Sequence, residues 1–192
     1  MLSLLGLPYE RVDVDLLKGE QKQPAFRAKN PLGQVPVIED GDITLADSNA
    51  ILTYLALRYD ASGQWLPREP LAAAEVQRWF SLAVGQLARG PGQLRLAALL
   101  NAPVDRAQAE RLAADLLSLL EGRLRDHAFL VGDRPTLADL AHYAYTAVAP
   151  EGGISLEPYP ALRRWHARIE ALPGFIPMHR TPAPAGAQPR AS

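Results

Sequence analysis

The pattern of apolar and polar positions changes character near residue 70. Before it, short apolar runs are cut by turns. Met1–Leu5 reads as the end of a helix stopped by Gly6, and Val12 and Val14 alternate at period two within Leu7–Asp15, which predicts a half-buried strand. Lys18–Ala28 is polar and reads as a loop with a short helix. Val35, Val37 and Ile38 form a strand interrupted by Pro36, which lacks an N–H and marks an edge, an entry point or a cis bond. Glu39–Asp42 makes a hairpin turn of the Asp-Gly kind, and Ile43–Leu45 is the return strand. Asp47-Ser48 then opens a helix to Tyr59 with Ile51, Leu52 and Leu55 on one face.

After the turn-rich stretch Asp60–Gly63, the apolar residues recur at helical spacing. Val76, Trp79, Phe80 and Ala83 share one face of Ala72–Leu87, which Gly90-Pro91-Gly92 is expected to break. Asp105–Leu124 is the clearest amphipathic helix, with Ala109, Leu112, Leu116, Leu119 and Leu120 inward. Thr136-x-x-Asp139 is a capping box opening a helix to about Ala149. Tyr159–Leu172 turns Leu162, Trp165, Ile169 and Leu172 inward. These elements predict an α/β domain over residues 1–62, a linker over 63–70, an all-helical domain over 71–180 and a disordered Pro/Ala-rich tail over 181–192.

Composition narrows the function only slightly. A 192-residue chain with 48% hydrophobic and 21% charged residues is ordinary globular protein. A net charge of −1 gives no reason to expect nucleic acid or an anionic membrane as a partner. With no cysteine, the chain holds no disulfide, thiolate metal site or cysteine nucleophile. The apolar start is too short for a signal peptide or a membrane span, and the protein reads as cytoplasmic.

The candidate chemistry lies in Asn30–Ile38 and Asp47–Asn49. A strand that turns at proline leaves the preceding residue's N–H and C=O open to an extended ligand backbone. The start of the next helix offers free N–H groups and the Ser48 hydroxyl to a carboxylate, while Asp47 suits an ammonium. Together these groups suit a short peptide with an amino-acid head.

The run Asn30-Pro31-x-Gly33-Gln34-Val35-Pro36-Val37-Ile38, followed by Leu45-Ala46-Asp47-Ser48-Asn49-Ala50-Ile51-x-x-Tyr54-Leu55, resembles the soluble glutathione transferase family, bacterial type. The resemblance implies a thioredoxin-like domain followed by a helical bundle, and a cis peptide before Pro36. It implies glutathione held at Gln34, Val35, Pro36, Asp47 and Ser48, its cysteinyl backbone on Val35 and its γ-glutamyl group on Asp47 and Ser48. The family more often has Glu or Gln at position 47. The resemblance also implies a homodimer through the Ser48 helix and the Ala72–Leu87 helix, and a thiolate that attacks a small hydrophobic electrophile, as in detoxification. The family's domain begins with a further strand and a loop, leading to the Ser, Tyr or Cys that stabilises the thiolate. That segment, about 15–20 residues by ordinary element lengths, is absent before Met1. A start codon placed too late is the expected reason, with a truly truncated protein, unstable or completing its sheet with another chain, as the alternative; the catalytic residue stays unknown. The alternatives are a non-catalytic glutathione-binding or interaction protein of the same fold, or another glutathione-dependent enzyme such as an isomerase, dehalogenase or disulfide reductase.

The remaining candidates are weaker. His127, His142, His166 and His179 lack metal-ligand spacing and read as surface or helix-end residues; no metal is expected. Trp79, Phe80, Tyr143 and Tyr145 read as core more readily than as an electrophile pocket. Lys18 reads as solvated, with contact to a glycine carboxylate as the functional alternative. Asp139 reads as a helix cap rather than a catalytic carboxylate.

Overall fold

The helices come where the apolar spacing puts them, and the sheet is smaller than the alternation suggests. The computed structural model describes residues 1–181. It begins with a 3-10 turn, Ser3–Leu5, closed by Gly6 in the left-handed conformation (φ 63°). A second 3-10 turn, Glu20–Lys22, leads into the short helix α1, Pro24–Lys29. Strands β1, Val37–Asp40, and β2, Ile43–Ala46, pair antiparallel, with Val37 opposite Ala46 and Asp40 opposite Ile43. Helix α2 spans Ser48–Tyr59.

The strand expected around Val12 and Val14 does not form. Residues 7–15 join no ladder among the described residues, and Val12 is 76% exposed. Arg11 pairs instead with Asp13, two residues on along the same segment. Period-two alternation makes a strand only where a neighbouring strand supplies the other half of the hydrogen bonds. A two-stranded hairpin alone is marginal in water, and here it leans on α2. The hydroxyls of Tyr54 and Tyr59 both donate to Asp40 Oδ2, that of Tyr54 at 2.7 Å.

The helical part comprises α3, Pro70–Leu82; a π-helical segment, Ala83–Gly92; α4, Gln93–Leu100; α5, Arg106–Asp126; α6, Leu137–Ala147; and α7, Pro160–Glu170. Gly90-Pro91-Gly92 does not break the helix as expected. The wider π turn accommodates proline's missing N–H. The glycine serves packing: a Cβ on Gly90 would lie 2.8 Å from the backbone N of Ala113 in α5. In α5 the buried stripe is Ala109, Ala113, Leu116, Leu117, Leu120 and Leu124, whereas Leu119 faces outward at 45% exposure. Trp165 and Ile169 of α7 are wholly buried, as their spacing predicts.

The expected linker over 63–70 carries Trp65 into the same apolar core as Trp79, Leu116 and Trp165, and Trp65 C=O accepts from Leu137 N–H at the start of α6. The buried Asp139 carboxylate joins three segments, accepting from Leu130 N–H (3.0 Å), Thr136 N–H (2.8 Å), the Thr136 hydroxyl (3.2 Å) and the Trp165 indole (2.9 Å). Its role is structural capping, as the sequence suggests. Among the described residues no helix is long and apolar enough to cross a membrane. Of the tail expected to be disordered, residues 182–192 lie outside the described residues.

Candidate functional site

The register of the hairpin assembles the site. With Val37 opposite Ala46, the residues just before β1 and just after β2 leave the sheet at the same end. Val35-Pro36 and Asp47-Ser48, eleven or more residues apart in sequence, therefore become neighbours.

The Val35–Pro36 peptide is cis, one of the three roles open to this proline. Val35 is 43% exposed, and among the described residues neither its N–H nor its C=O has a hydrogen-bond partner. The loop before it is shaped by Asn30, which is 6% exposed. Asn30 Nδ2 donates to Gln34 C=O at 2.7 Å, Asn30 Oδ1 accepts from Leu32 N–H at 3.1 Å, and Asn30 C=O accepts from Gly33 N–H at 2.8 Å. Lys22 Nζ donates to Gly33 C=O at 2.9 Å. Gly33 has φ 60°, and a Cβ there would meet Gln21 O at 2.6 Å, so the turn requires glycine. Gln34 itself is exposed, with its carbonyl held by Asn30.

At the other strand end, Asp47 is the N-cap of α2 and sits at φ 77°, ψ 125°, a conformation that costs a non-glycine residue about 1–3 kcal/mol. Its Oδ1 accepts from Asn49 N–H (3.0 Å) and Ala50 N–H (2.9 Å). This corrects the expectation of a helix start with its N–H groups open to a carboxylate: two of them are already satisfied by Asp47. What remains is the Ser48 N–H, the Ser48 hydroxyl and Asp47 Oδ2, none of which has a partner among the described residues. Three unmet groups at one helix start, two of them donors and one a carboxylate oxygen, suit a zwitterion.

From this end of the hairpin a cleft of about 810 Å³ runs between α2 and α3, lined among others by Asp47, Asn49, Thr53, Leu57, Phe80 and Val84. At the opposite end of the hairpin, the Tyr59 and Tyr54 hydroxyls hold Asp40 below the usual carboxylate range.

The other candidates fall away from the site. Trp79 and Tyr143 are buried core residues, and only Phe80 of the four aromatics lines the cleft. Lys18 lies on the surface paired with Asp15 at 3.1 Å. His127 and His179 are exposed, but His142 and His166 are buried, against the surface reading. Both lie on helix faces whose spacing also carries core residues, and that spacing was the available signal. Among the described residues no group of three or more His, Cys, Asp or Glu is placed to hold a metal ion. Asn30 is the positioning residue that sequence reasoning missed; the signal was an Asn ahead of Pro-x-Gly, where its side chain closes a turn on the backbone.

Comparison with known proteins agrees along most of the chain. Residues 1–57 match the family model "Glutathione S-transferase, N-terminal domain", and residues 101–173 match "Glutathione S-transferase, C-terminal domain". Glutathione S-transferase theta-1 of Bos taurus is 35% identical over 182 residues, covering 88% of this chain and 75% of that protein. A glutathione S-transferase from Pseudomonas fluorescens superposes with a TM-score of 0.85 at 37% identity, over 92% of this chain and 89% of the other. A glutathione transferase homolog from Lodderomyces elongisporus, solved with two GSH per subunit, gives a TM-score of 0.78 at 26% identity, over 90% of this chain and 87% of the other.

Proposed function

Since the chain belongs to the glutathione S-transferase family, we propose that it holds glutathione at the end of the hairpin and adds its thiolate to a small hydrophobic electrophile. The observation that carries this reading is the pairing of Val37 with Ala46, which brings an unpaired peptide unit beside the groups that the Asp47 cap leaves unmet. The cysteinyl backbone of glutathione pairs with Val35 N–H and C=O, as an added strand does. The γ-glutamyl carboxylate takes the Ser48 N–H and hydroxyl, and its ammonium takes Asp47 Oδ2. Gln34 and Pro36 bound the peptide on either side of Val35. In the reaction the glutathione thiol loses its proton, the thiolate forms a C–S bond to the electrophilic carbon, and the leaving group departs with its electron pair. These five residues are assigned to binding; no catalytic residue is assigned.

Two further parts of the reading concern setting. A second copy of the chain packs on the α2–α3 face, where Leu57 and Val84 are 73% and 62% exposed beside the cleft. Leu57→Glu then converts a dimer to a monomer in sedimentation. The cytoplasm, whose thiol poise glutathione sets, is the compartment for the reaction.

Asp47→Asn tests the binding site without dismantling the cap, because Asn caps helices as well as Asp and tolerates positive φ. The charge is lost, and the outward acceptor oxygen becomes an amide nitrogen. Calorimetry with glutathione should show at least tenfold weaker binding, about 1.4 kcal/mol, and Ser48→Ala a comparable loss. Parent-like affinity in both variants overturns the assignment.

A further inference from the structure

Two buried histidines meet around one turn of α6, and neither takes part in the proposed site. His142 is wholly buried. Its Nδ1 lies 3.0 Å from Ala138 C=O; a carbonyl only accepts, so Nδ1 carries the hydrogen and Nε2 is a bare acceptor. That Nε2 has no partner, and neither does the buried indole N–H of Trp79 on α3. The two rings stand edge to face, 5.2 Å apart. One turn along, the Thr146 hydroxyl donates to His142 C=O at 2.7 Å. With its single hydrogen used, Thr146 Oγ1 accepts from His166 Nε2, 2.9 Å away on α7. The donating ring nitrogens are thus Nδ1 on His142 and Nε2 on His166, and Thr146 links the His166 ring to the His142 backbone.

The surroundings oppose a proton on either ring. The Arg78 guanidinium of α3 lies 4.9 Å from the Trp79 ring centroid, adding positive charge beside the ring that packs edge to face on His142. Arg180, after α7, adds its positive charge near His166. The neighbouring carboxylates are all engaged elsewhere: Asp139 of α6 with its four donors, Glu170 of α7 by the Tyr143 hydroxyl at 2.7 Å, and Glu151 after α6 by Arg95 at 2.7 Å. Of the other elements against α6, the π-helical segment carries Arg89, which is exposed, and α2 carries Arg58, which lies over Tyr59.

We propose that His142, Thr146 and His166 form an acid-sensitive lock between α6, α3 and α7, closed while both imidazoles are neutral and released when they are protonated. Protonation of His142 puts a charge on a buried nitrogen that has no hydrogen-bond partner, and α3, packed on that ring through Trp79, must move to admit water. Phe80 and Val84, which line the α2–α3 cleft, adjoin Trp79 in this part of the chain, so release reshapes that cleft. Burial pushes the pKa of both histidines down to about 4 from the ordinary 6.5. A histidine with a depressed folded pKa binds fewer protons folded than unfolded between those two values. Stability is therefore full above pH 6.5, falls as the pH drops towards 4, and levels off below. In that window each histidine changes the folding equilibrium constant by about tenfold per pH unit.

The test is the urea midpoint of the whole chain between pH 7.5 and 4.5, for the parent, His142→Phe, His166→Gln and the double variant. The parent midpoint should fall below pH 6.5, each single variant should lose part of that fall, and the double variant most of it. Variants as pH-sensitive as the parent overturn the proposal. If the variants do not fold, imidazole NMR on the parent decides, with exposed His127 and His179 as references. Buried resonances that stay neutral to pH 5, with α3 amide exchange accelerating as they titrate, support the lock. Titration near 6.5, or titration without faster exchange in α3, overturns it.

Discussion

Removing the Asp139 carboxylate should unfasten the helical domain at its most connected point. Asp139→Ala leaves Leu130 N–H, Thr136 N–H and the Trp165 indole N–H without acceptors in a site closed to water. The Thr136 hydroxyl can rotate to another partner, so three donors carry the cost. Each buried unsatisfied donor costs about 1–3 kcal/mol, or roughly 3–9 kcal/mol for the three. Against this stands the desolvation of the carboxylate, which burial opposes strongly enough to raise its pKa despite four donors. Relief of that penalty returns several kcal/mol, leaving a net loss of about 3–5 kcal/mol, the usual range for breaking a buried network. For a chain of this length that lowers the melting temperature by roughly 6–20 °C. Urea unfolding followed by Trp fluorescence and by far-UV circular dichroism checks the figure, and both probes should shift together because the carboxylate ties the 130 turn, α6 and α7. A loss below 1 kcal/mol would refute the reasoning: water would then be reaching the three donors.

Glycine substitutions separate packing from propensity. Gly90→Ala places a methyl 2.8 Å from Ala113 N, and because neighbouring backbone cannot swing aside, it should cost about 1–3 kcal/mol. Gly122→Ala, in α5 with open space around its Cβ position, should instead stabilise by about 0.5–1 kcal/mol; thermal melts of the two variants should move in opposite directions. Glu121 of α5 caps α7 across space, accepting from Ala161 N–H at 2.9 Å and Leu162 N–H at 3.0 Å. Glu121→Gln keeps one acceptor oxygen but loses the charge at the helix start, so a loss of about 1 kcal/mol is expected, measured by urea midpoint.

The elements legible in the sequence were those whose signal is local. The Ser48–Tyr59 helix has its cap, the hairpin has Asp40-Gly41 and α5 has its apolar stripe; each formed within a residue or two of its expected place. Misreadings came where the decisive partner is distant. Val12 and Val14 alternate correctly but have no neighbouring strand among the described residues. Gly90 and Pro91 look like breakers in isolation, yet the close approach of α5 and the π turn give them another use. His142 and His166 look polar, yet lie on faces committed to the core. At the site, Asp47 was correctly placed beside the helix start, but its cap consumes donors that residue types alone left free. The cap preference of aspartate and its preference for an ammonium point to the same residue, and the geometry uses Oδ1 for the cap while Oδ2 has no partner among the described residues.

The site is therefore held by local hydrogen bonds rather than by the sheet. β1 and β2 are four residues each, too little to fix the peptide unit at Val35, which precedes the ladder. The Asn30 loop does that work, and its role can be separated from stability. Asn30→Asp retains the oxygen that accepts from Leu32 N–H but replaces the Nδ2 donor, now 2.7 Å from Gln34 C=O, with a second acceptor. Two oxygens at that distance repel, so the Gln34 carbonyl turns away and carries the adjoining Val35 amide with it. The loop is exposed around Asn30 and contributes little to the core, so the urea midpoint should fall by only about 1–2 kcal/mol. The proposed glutathione contact requires the Val35 N–H and C=O to point along one edge, and calorimetry should show about a tenfold weaker complex. Lys22→Met, which removes the contact to Gly33 C=O, should weaken binding in the same direction by a smaller factor. Unchanged affinity in Asn30→Asp would mean that the cis Val35–Pro36 unit keeps its direction without the loop, and the binding role assigned to Asn30 would fall while that of Ser48 and Asp47 stood.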